Sequence, residues 1–119
     1  MITTAIPKLP FIEKQQTMDF YVNQLGFKLI SDYGDYLILH HGNVELHFFS
    51  FVGLVPQKSD FMIYLRIDNE IESYYTKLQD LGVQIHPNGK LETKAWHQKE
   101  FSIIDPSGTL LTFGQASNQ

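Results

Sequence analysis

The stretch TMDFYVNQLGF, residues 17–27, contains the first helix of the chain and the point where that helix ends. Its apolar side chains recur at spacings of three and four residues, the period of one helix face: Met18, Tyr21, Val22 and Leu25. Gly26 follows directly, and glycine commonly ends a helix because it adopts left-handed backbone angles without a steric penalty. We therefore predict a helix over residues 17–25.

The same arrangement occurs a second time. Residues 71–81 have the helical period and end in the pair Leu81-Gly82. Strand-like segments surround both helices in the same order. In the first half we predict a short strand within residues 1–10, interrupted by Pro7 and Pro10, and then strands over residues 27–31, 36–41 and 44–50. In the second half we predict strands over residues 61–67, 83–86, 99–104 and 109–113.

Each half is thus predicted to have the order βαβββ. We expect a single α+β domain, residues 1–119, with half-repeats at about residues 1–51 and 60–116 and a linker over residues 52–59, which contains glycine and proline. The N-terminal arm with its two prolines is expected to lie at a sheet edge or to cross to a partner.

Composition excludes several kinds of function. The chain has no cysteine, so disulfides, thiolate metal sites and cysteine nucleophiles are ruled out. Its formal net charge of -4 argues against nucleic acid as a partner, because phosphate binding requires clustered Lys and Arg. No apolar stretch approaches the roughly 20 residues that span a bilayer. We therefore expect no membrane partner and a cytoplasmic location.

The predicted strands separate an apolar face from a mixed face, because successive side chains point to opposite sides. In residues 44–50, one face is apolar, with Val44, Leu46 and Phe48, and the other carries Glu45, His47 and Phe49. The same alternation in residues 61–67 places Tyr64 and Arg66 together. Such a mixed face either lines a cleft or meets solvent, and alternation alone leaves both readings open.

Three motifs resemble the vicinal-oxygen-chelate superfamily, which includes glyoxalase I, extradiol dioxygenases, fosfomycin-resistance enzymes and bleomycin-resistance proteins. They are Met18-Asp19-Phe20-Tyr21 with Leu25-Gly26-Phe27, then Tyr64-Leu65-Arg66-Ile67-Asp68, and finally Asp105-Pro106-Ser107-Gly108-Thr109-Leu110-Leu111. Within it, the chain is most similar to the transposon-type bleomycin-resistance branch. The resemblance implies two βαβββ modules that form a cupped mixed sheet, and a homodimer with two grooves at its interface.

Superfamily enzymes hold a divalent metal through His, Glu or Gln on the first and last strands of each half. The motifs align those positions with Ile6, His47, Met62 and Thr112, of which only His47 is a strong ligand. We therefore expect no metal, no other cofactor and no catalytic residue. The other histidines are interpreted as surface or packing residues: His40, His41, His86 and His97. Glu45 beside His47 is the one pair that could serve as a base with an orienting carboxylate.

The resemblance implies a protein that binds and sequesters a planar, cationic antibiotic in an aromatic groove at the dimer interface. The candidate ring contacts are Trp96, Tyr36, Phe49 and Tyr64, and the candidate polar contacts are His47, Glu45, Asp35 and Asp60, with Asp32 as a further acidic partner. Trp96 could instead cap a sheet edge or the dimer interface. Asp60 and Arg66 depart from the transposon-type pattern. The alternatives are therefore a binder of another small metabolite, and a metal-dependent glyoxalase-type lyase or thiol transferase.

Overall fold

A computed structural model describes residues 1–117 of the chain and gives both halves the order βαβββ. The first half consists of β1 (Lys8–Phe11), α1 (Lys14–Met18), a π-helical continuation (Asp19–Gln24), β2 (Lys28–Asp32), β3 (Tyr36–His41) and β4 (Val44–Ser50). A 3-10 turn (Pro56–Lys58) lies in the connection. The second half consists of β5 (Met62–Arg66), α2 (Ile71–Asp80), β6 (Glu92–Thr93), β7 (Gln98–Ile104) and β8 (Leu110–Ala116). The predicted α+β class is confirmed.

The strands form two four-stranded mixed sheets with equivalent topology. Their orders are β1-β4-β3-β2 and β5-β8-β7-β6. In each sheet the first strand of the half pairs in parallel with the last strand, and the remaining pairs are antiparallel. Lys8 thereby lies opposite His47, and Tyr64 lies opposite Thr112. The two halves are structural repeats, so equivalent positions can be compared directly.

The first helix begins earlier than predicted and changes its winding. The Glu13 side chain accepts hydrogen bonds from the backbone N–H groups of Gln15 and Gln16, so the helix begins at Lys14, in a polar segment without an apolar period. From Asp19 the helix is π-wound, and the Leu25 backbone N–H donates to the Phe20 carbonyl at 3.0 Å. Tyr21 and Leu25 of the predicted stripe are buried, and Thr17 and Phe20 are buried in place of Met18 and Val22, which are only partly buried.

One predicted strand is wrong. Residues 83–86 form no strand, and only Ile85 makes an isolated bridge, to Ile103. The second strand of this half is instead β6, whose two polar residues pair with Lys99 and Glu100. A strand of two exposed polar residues has no apolar alternation, so sequence periodicity does not reveal it.

A single core cluster takes side chains from both sheets and both helices. The alternating inward residues are Leu37, Leu39, Leu46 and Phe48 from the first sheet and Phe101, Ile103, Leu111 and Phe113 from the second, with Tyr21, Ile71 and Leu78 from the helices. The opposite face of each sheet points away from this core. No helix among residues 1–117 combines the length and the apolar character needed to cross a bilayer.

A buried hydrogen bond joins the two halves. Tyr21 donates its hydroxyl proton to Asp105 Oδ2 at 2.6 Å, across a sequence separation of 84 residues. The other oxygen, Asp105 Oδ1, accepts from the backbone N–H groups of Ser107 and Thr109 at 2.8 and 2.9 Å. Gly108 completes the turn with φ of +88°, and a Cβ there would lie 2.2 Å from the carbonyl oxygen of Pro56. The turn can therefore lie against the connection only with glycine at this position.

Candidate functional site

The outward faces of the two sheets carry most of the predicted site residues. On β4, Leu46 and Phe48 are fully buried in the core, whereas Glu45, His47 and Phe49 are half-buried on the opposite side. The predicted alternation is confirmed for these five residues, whereas Val44, predicted on the apolar face, is 42% exposed. We call the outward surface of β1, β3 and β4 the first face, and the outward surface of β5, β7 and β8, with the turn before β7, the second face.

The first face contains a chain of three hydrogen-bonded side chains. Tyr36 Oη lies 2.7 Å from His47 Nδ1, and His47 Nε2 lies 2.6 Å from Glu45 Oε2. Because a carboxylate only accepts, Nε2 carries a proton, and a neutral ring then accepts the Tyr36 hydroxyl at Nδ1. The Lys8 ammonium lies 5.5 Å from the Tyr36 ring centre. These contacts hold Tyr36 and Glu45 in place around one imidazole.

Phe49 lies at the end of the same face, toward the connection between the halves. Its ring centre is 6.4 Å from that of Phe51 and 6.0 Å from that of Phe61. Phe61 directly precedes β5. Phe49 therefore belongs to a small aromatic cluster where the two halves meet, rather than standing alone over the first face.

The second face is organised around Glu100. Its Oε2 atom accepts the Tyr64 hydroxyl proton at 2.8 Å and the Trp96 indole N–H at 3.0 Å. Glu100 is 7% exposed, whereas Tyr64 and Trp96 are 44% and 61% exposed. Burial raises the pKa of the Tyr64 hydroxyl, and the hydrogen bond and charge of Glu100 raise it further, while the Arg66 guanidinium, 5.5 Å from the ring, acts in the opposite direction. Two aromatic rings thus stand exposed on a shared buried carboxylate.

The turn before β7 places Trp96 over the second face. The His97 backbone N–H donates to the Lys94 carbonyl at 3.0 Å, and the Lys94 N–H donates to the Gln98 carbonyl at 2.7 Å. His97 has φ of 64°, a left-handed conformation that ends the turn. Residues 94–97 therefore form the tight connection from β6 to β7, with the indole directed at Glu100.

Two of the predicted acidic partners, Asp35 and Asp60, lie in loops, and the third, Asp32, ends β2. Asp35 and Asp60 are exposed, and the contact formed by Asp35 is through its backbone carbonyl, which accepts from the Ser50 N–H at 2.9 Å. Asp32 is held by the Lys14 ammonium at 2.9 Å. That hydrogen bond is the main cause that lowers the pKa of Asp32, with the Gly34 backbone N–H as a second cause. Asp32 is thus already paired within the chain.

Within one chain, the two faces remain separate. Across residues 1–117, hydrogen bonds link Tyr36, His47 and Glu45 on the first face, and others link Tyr64, Trp96 and Glu100 on the second, but none joins the two groups.

A cleft of about 480 Å³ lies elsewhere, between α2 and the β3–β4 hairpin, and contains none of the eight predicted site residues. Its lining includes Leu25, Phe27, His41, Tyr74 and Phe113.

The residues at the superfamily's metal positions do not fit a metal centre of that kind. Both ring nitrogens of His47 are engaged, by Tyr36 and Glu45. Thr112 shares a 2.8 Å hydrogen bond with Ser102, and Ile6 and Met62 provide no strong donor. Among the described residues, no three His, Asp or Glu side chains come together as a ligand set.

Sequence reasoning missed Glu100 and Gly114. Glu100 lies in a predicted strand and alternates with the inward residues Phe101 and Ile103, so the sequence places it on the outward face and gives no sign that it is buried there. Gly114 lies one residue beyond the predicted last strand. A Cβ at that position would lie 1.7 Å from the Tyr64 hydroxyl oxygen, which shows how closely the phenol crosses β8. A glycine inside a strand is the available signal for such a close approach.

Comparisons with known proteins agree on one family. A model of the glyoxalase/bleomycin resistance protein/dioxygenase superfamily matches residues 13–113. A bleomycin resistance protein of Klebsiella pneumoniae is 32% identical over 116 residues, covering 93% of this chain and 90% of the relative. Another, of Geobacillus stearothermophilus, is 28% identical over 126 residues, covering 93% and 95%.

Solved structures agree with this assignment. The crystal structure of a bleomycin-binding protein complexed with bleomycin superposes with a TM-score of 0.84 and 31% identity, covering 98% of this chain and 100% of that one. The bleomycin resistance determinant encoded on the transposon Tn5 superposes with a TM-score of 0.85 and 30% identity, covering 99% and 100%.

Proposed function

This chain belongs to the glyoxalase/bleomycin resistance protein/dioxygenase superfamily, and on that premise we propose that it binds and sequesters an antibiotic of the bleomycin class. One observation carries the proposal: the second face presents Trp96 and Tyr64 as exposed rings supported by one buried carboxylate. Exposed rings held at a fixed position suit a flat ligand, because stacking gains apolar contact without a large loss of side-chain freedom.

Charge favours a cationic ligand. The chain carries a formal net charge of -4, and each outward face holds one glutamate among its aromatic side chains, Glu45 or Glu100. Cations are attracted both to carboxylates and to the faces of aromatic rings. A planar ligand with a cationic tail would therefore find complementary groups on both faces, with Tyr36 and His47 on the first and Trp96 and Tyr64 on the second.

The complete groove would require two copies of the chain. A two-fold axis that sets the first face of one protomer against the second face of its partner produces two equivalent grooves. The exposed side chains of the second face support this arrangement, since Met62, two residues before Tyr64 on the same face of β5, is 68% exposed. We propose a homodimer with one ligand in each groove, acting in the cytoplasm, with Asp35 and Asp60 as rim contacts from adjacent loops.

The donor set supports binding without turnover. A glyoxalase-type lyase or thiol transferase of this superfamily uses a metal to polarise its substrate, and the four aligned positions provide one histidine that is already doubly hydrogen-bonded. The relatives named for bleomycin binding or resistance support a binding role. Turnover of a glutathione hemithioacetal by purified protein, together with metal in elemental analysis, would replace this proposal with the enzymatic alternative.

Isothermal titration with bleomycin, metal-free and copper-loaded, tests the proposal. We expect one drug per chain, and an affinity at least tenfold weaker in Trp96→Ala, because base-like rings stacked on an aromatic side chain contribute roughly 1–3 kcal/mol. Tyr33→Ala is the matched control, since Tyr33 is 69% exposed in the turn before β3 and belongs to neither face. Absence of heat with either drug form would reject bleomycin as the ligand and favour another small molecule.

Sedimentation of the purified protein tests the proposed homodimer. We expect a dimer at micromolar concentration, with and without drug. A monomer that still binds one drug tightly would contradict the two-chain groove, because each chain alone presents only one half of it.

A further inference from the structure

Glu100 is a buried carboxylate with an unusual pair of partners. It is 7% exposed, and a single oxygen atom accepts both the Tyr64 hydroxyl and the Trp96 indole N–H. Carboxylates are seldom buried unless they are paired or hydrogen-bonded, because loss of hydration is costly. Both of its partners are neutral aromatic donors. The two hydrogen bonds that hold this carboxylate in place therefore also fix two aromatic rings.

Neither ring is fixed by burial. Trp96 lies in the turn before β7 and is 61% exposed, and Tyr64 is on the edge strand β5 and is 44% exposed. An exposed side chain in a turn samples several rotamers unless a directional contact selects one. The hydrogen bonds to Glu100 supply that contact, since they define the position of the indole nitrogen and of the phenol oxygen.

Gly114 provides the space that Tyr64 needs to reach Glu100. Gly114 pairs with Arg66 on one side and with Glu100 on the other, so the phenol must cross β8 at this residue. A Cβ on Gly114 would lie 1.7 Å from the Tyr64 hydroxyl oxygen and 2.5 Å from the ring carbon that carries it. Any side chain at this position would displace Tyr64 from the carboxylate.

The two halves of the chain differ at these positions. In the first half, Phe49 takes the place of Gly114, because it pairs with Tyr36 as Gly114 pairs with Glu100. Lys8 occupies the position in the first half that Tyr64 occupies in the second, because Lys8 pairs with His47 as Tyr64 pairs with Thr112. The fold therefore accepts other residues at all three positions, and the arrangement of Tyr64, Glu100 and Gly114 is a special feature of the second half.

We propose that Glu100 is the positioning residue of the ligand-binding surface, holding Trp96 and Tyr64 in the arrangement that receives the ligand, and that Gly114 is required for this role. The inference rests on the proposed function for the identity of the ligand, but the positioning itself exists without ligand. Holding the rings in advance improves affinity, because less side-chain freedom is lost when the ligand binds.

The first test uses the free protein. Trp96 is the only tryptophan, so a ¹H–¹⁵N spectrum contains one indole N–H resonance. In Glu100→Ala we expect this resonance to move toward that of free tryptophan and its exchange with water to become about tenfold faster. In Glu100→Gln the amide oxygen still accepts, so the resonance should stay near its wild-type position. An unchanged resonance in Glu100→Ala overturns the inference, whatever the ligand data show.

The second test measures bleomycin affinity in the same variants. We expect about a tenfold loss in Glu100→Ala, a loss within about threefold in Glu100→Gln, and a loss close to tenfold in Gly114→Ala, which keeps the carboxylate but excludes Tyr64. Gly53→Ala is the control, because a Cβ there meets no atom within 4 Å. Equal losses in Glu100→Gln and Glu100→Ala would overturn positioning in favour of a role for the charge.

The two proposals fail in different ways. If the indole resonance responds as expected but the wild-type protein binds no bleomycin, the proposed function fails and the positioning of Trp96 stands. If the wild-type protein binds bleomycin, and Glu100→Ala and Gly114→Ala both bind it equally well while remaining folded by circular dichroism, the role of Glu100 and Gly114 in binding is refuted and the proposed function stands.

Discussion

Replacement of Tyr21 by phenylalanine would remove one hydroxyl from the buried contact between the two halves. Tyr21 is fully buried, Asp105 is 4% exposed, and their 2.6 Å hydrogen bond runs from the first helix to the turn between β7 and β8. Phenylalanine keeps the ring and its packing against Phe48 and Phe27. The substitution therefore isolates the hydrogen bond and leaves one oxygen of Asp105 without its partner.

We expect Tyr21→Phe to lower the free energy of unfolding by about 2 kcal/mol, since hydrogen bonds to charged groups contribute roughly 1.5–3 kcal/mol. With an unfolding entropy of about 2.1 cal/mol/K per residue, this corresponds to a fall in Tm of about 8 °C for the 119-residue chain. The comparison requires equal protein concentrations, because dimer formation would make the apparent stability depend on concentration.

The loss of unfolding free energy in Tyr21→Phe relative to the wild type, called the deficit below, should also depend on pH. Burial raises the pKa of Asp105, while hydrogen bonds from Tyr21 and from backbone N–H groups act against that shift. Removal of the Tyr21 hydroxyl therefore raises the Asp105 pKa further. Because the Asp105 pKa is raised in the folded protein, protonated Asp105 stabilises the fold below the pKa of unfolded aspartate, about 4. This stabilisation is lost as the pH rises through the pKa of Asp105 in the folded protein. The deficit of Tyr21→Phe should grow from about pH 3 to pH 7.

Urea denaturation of the wild type and of Tyr21→Phe at several pH values measures the difference in unfolding free energy, with Tyr33→Phe as the control. Tyr33 is largely exposed, so the loss of its hydroxyl should change stability by less than about 0.5 kcal/mol. Two results would refute the reasoning: a Tyr21→Phe protein as stable as the wild type at pH 7, or a deficit that shrinks as the pH rises from 3 to 7.

Three further predictions concern titration and turns. Burial raises the pKa of Tyr74 to about 12, so wild-type stability should fall as pH rises from about 10 toward 12, and Tyr74→Phe, which cannot ionise, should lose less in alkaline urea titrations. Lys14→Ala should raise the pKa of Asp32 toward its ordinary value, and a carboxyl ¹³C titration that shows no change would contradict the 2.9 Å ion pair. Gly34→Ala should lower the free energy of unfolding by about 1–2 kcal/mol because of its positive φ alone. Gly108→Ala should lower it clearly more, because its Cβ would also lie 2.2 Å from a backbone carbonyl oxygen. Equal thermal shifts in the two variants would contradict that contact.

Much of the fold could be predicted because its signals are local. The strands predicted over residues 36–41 and 44–50 coincide with β3 and β4, since a Gly42-Asn43 turn joins two segments of clear alternation. The second helix was predicted to within one residue at its end for a similar reason, a regular apolar period followed by glycine. Where the local signal is absent, as in the two-residue β6, the prediction failed.

The candidate site was predictable only in part. Trp96, Tyr64, His47 and Glu45 were identified from residue type, strand face and family resemblance, and alternation placed His47 and Glu45 together correctly. The shared partner of Trp96 and Tyr64 was not identified. Glu100 is four residues from Trp96 but 36 residues from Tyr64, and the register between β5, β8 and β7 decides the contact with Tyr64. Whether the predicted residues bind the ligand stays a prediction.

The amino-acid sequence by itself determined the repeated βαβββ order, the family, and the lack of companion donors around His47. These properties depend on residue identity, on spacing and on turns between neighbours in the chain, which the sequence displays directly. Only the tertiary structure decided that Glu100 supports two aromatic rings and that Tyr21 ties the halves together through Asp105. The Tyr21–Asp105 and Tyr64–Glu100 contacts join residues distant in the chain. The Tyr64–Glu100 contact also depends on strand register and on the space left by the missing side chain at Gly114, which no local pattern encodes.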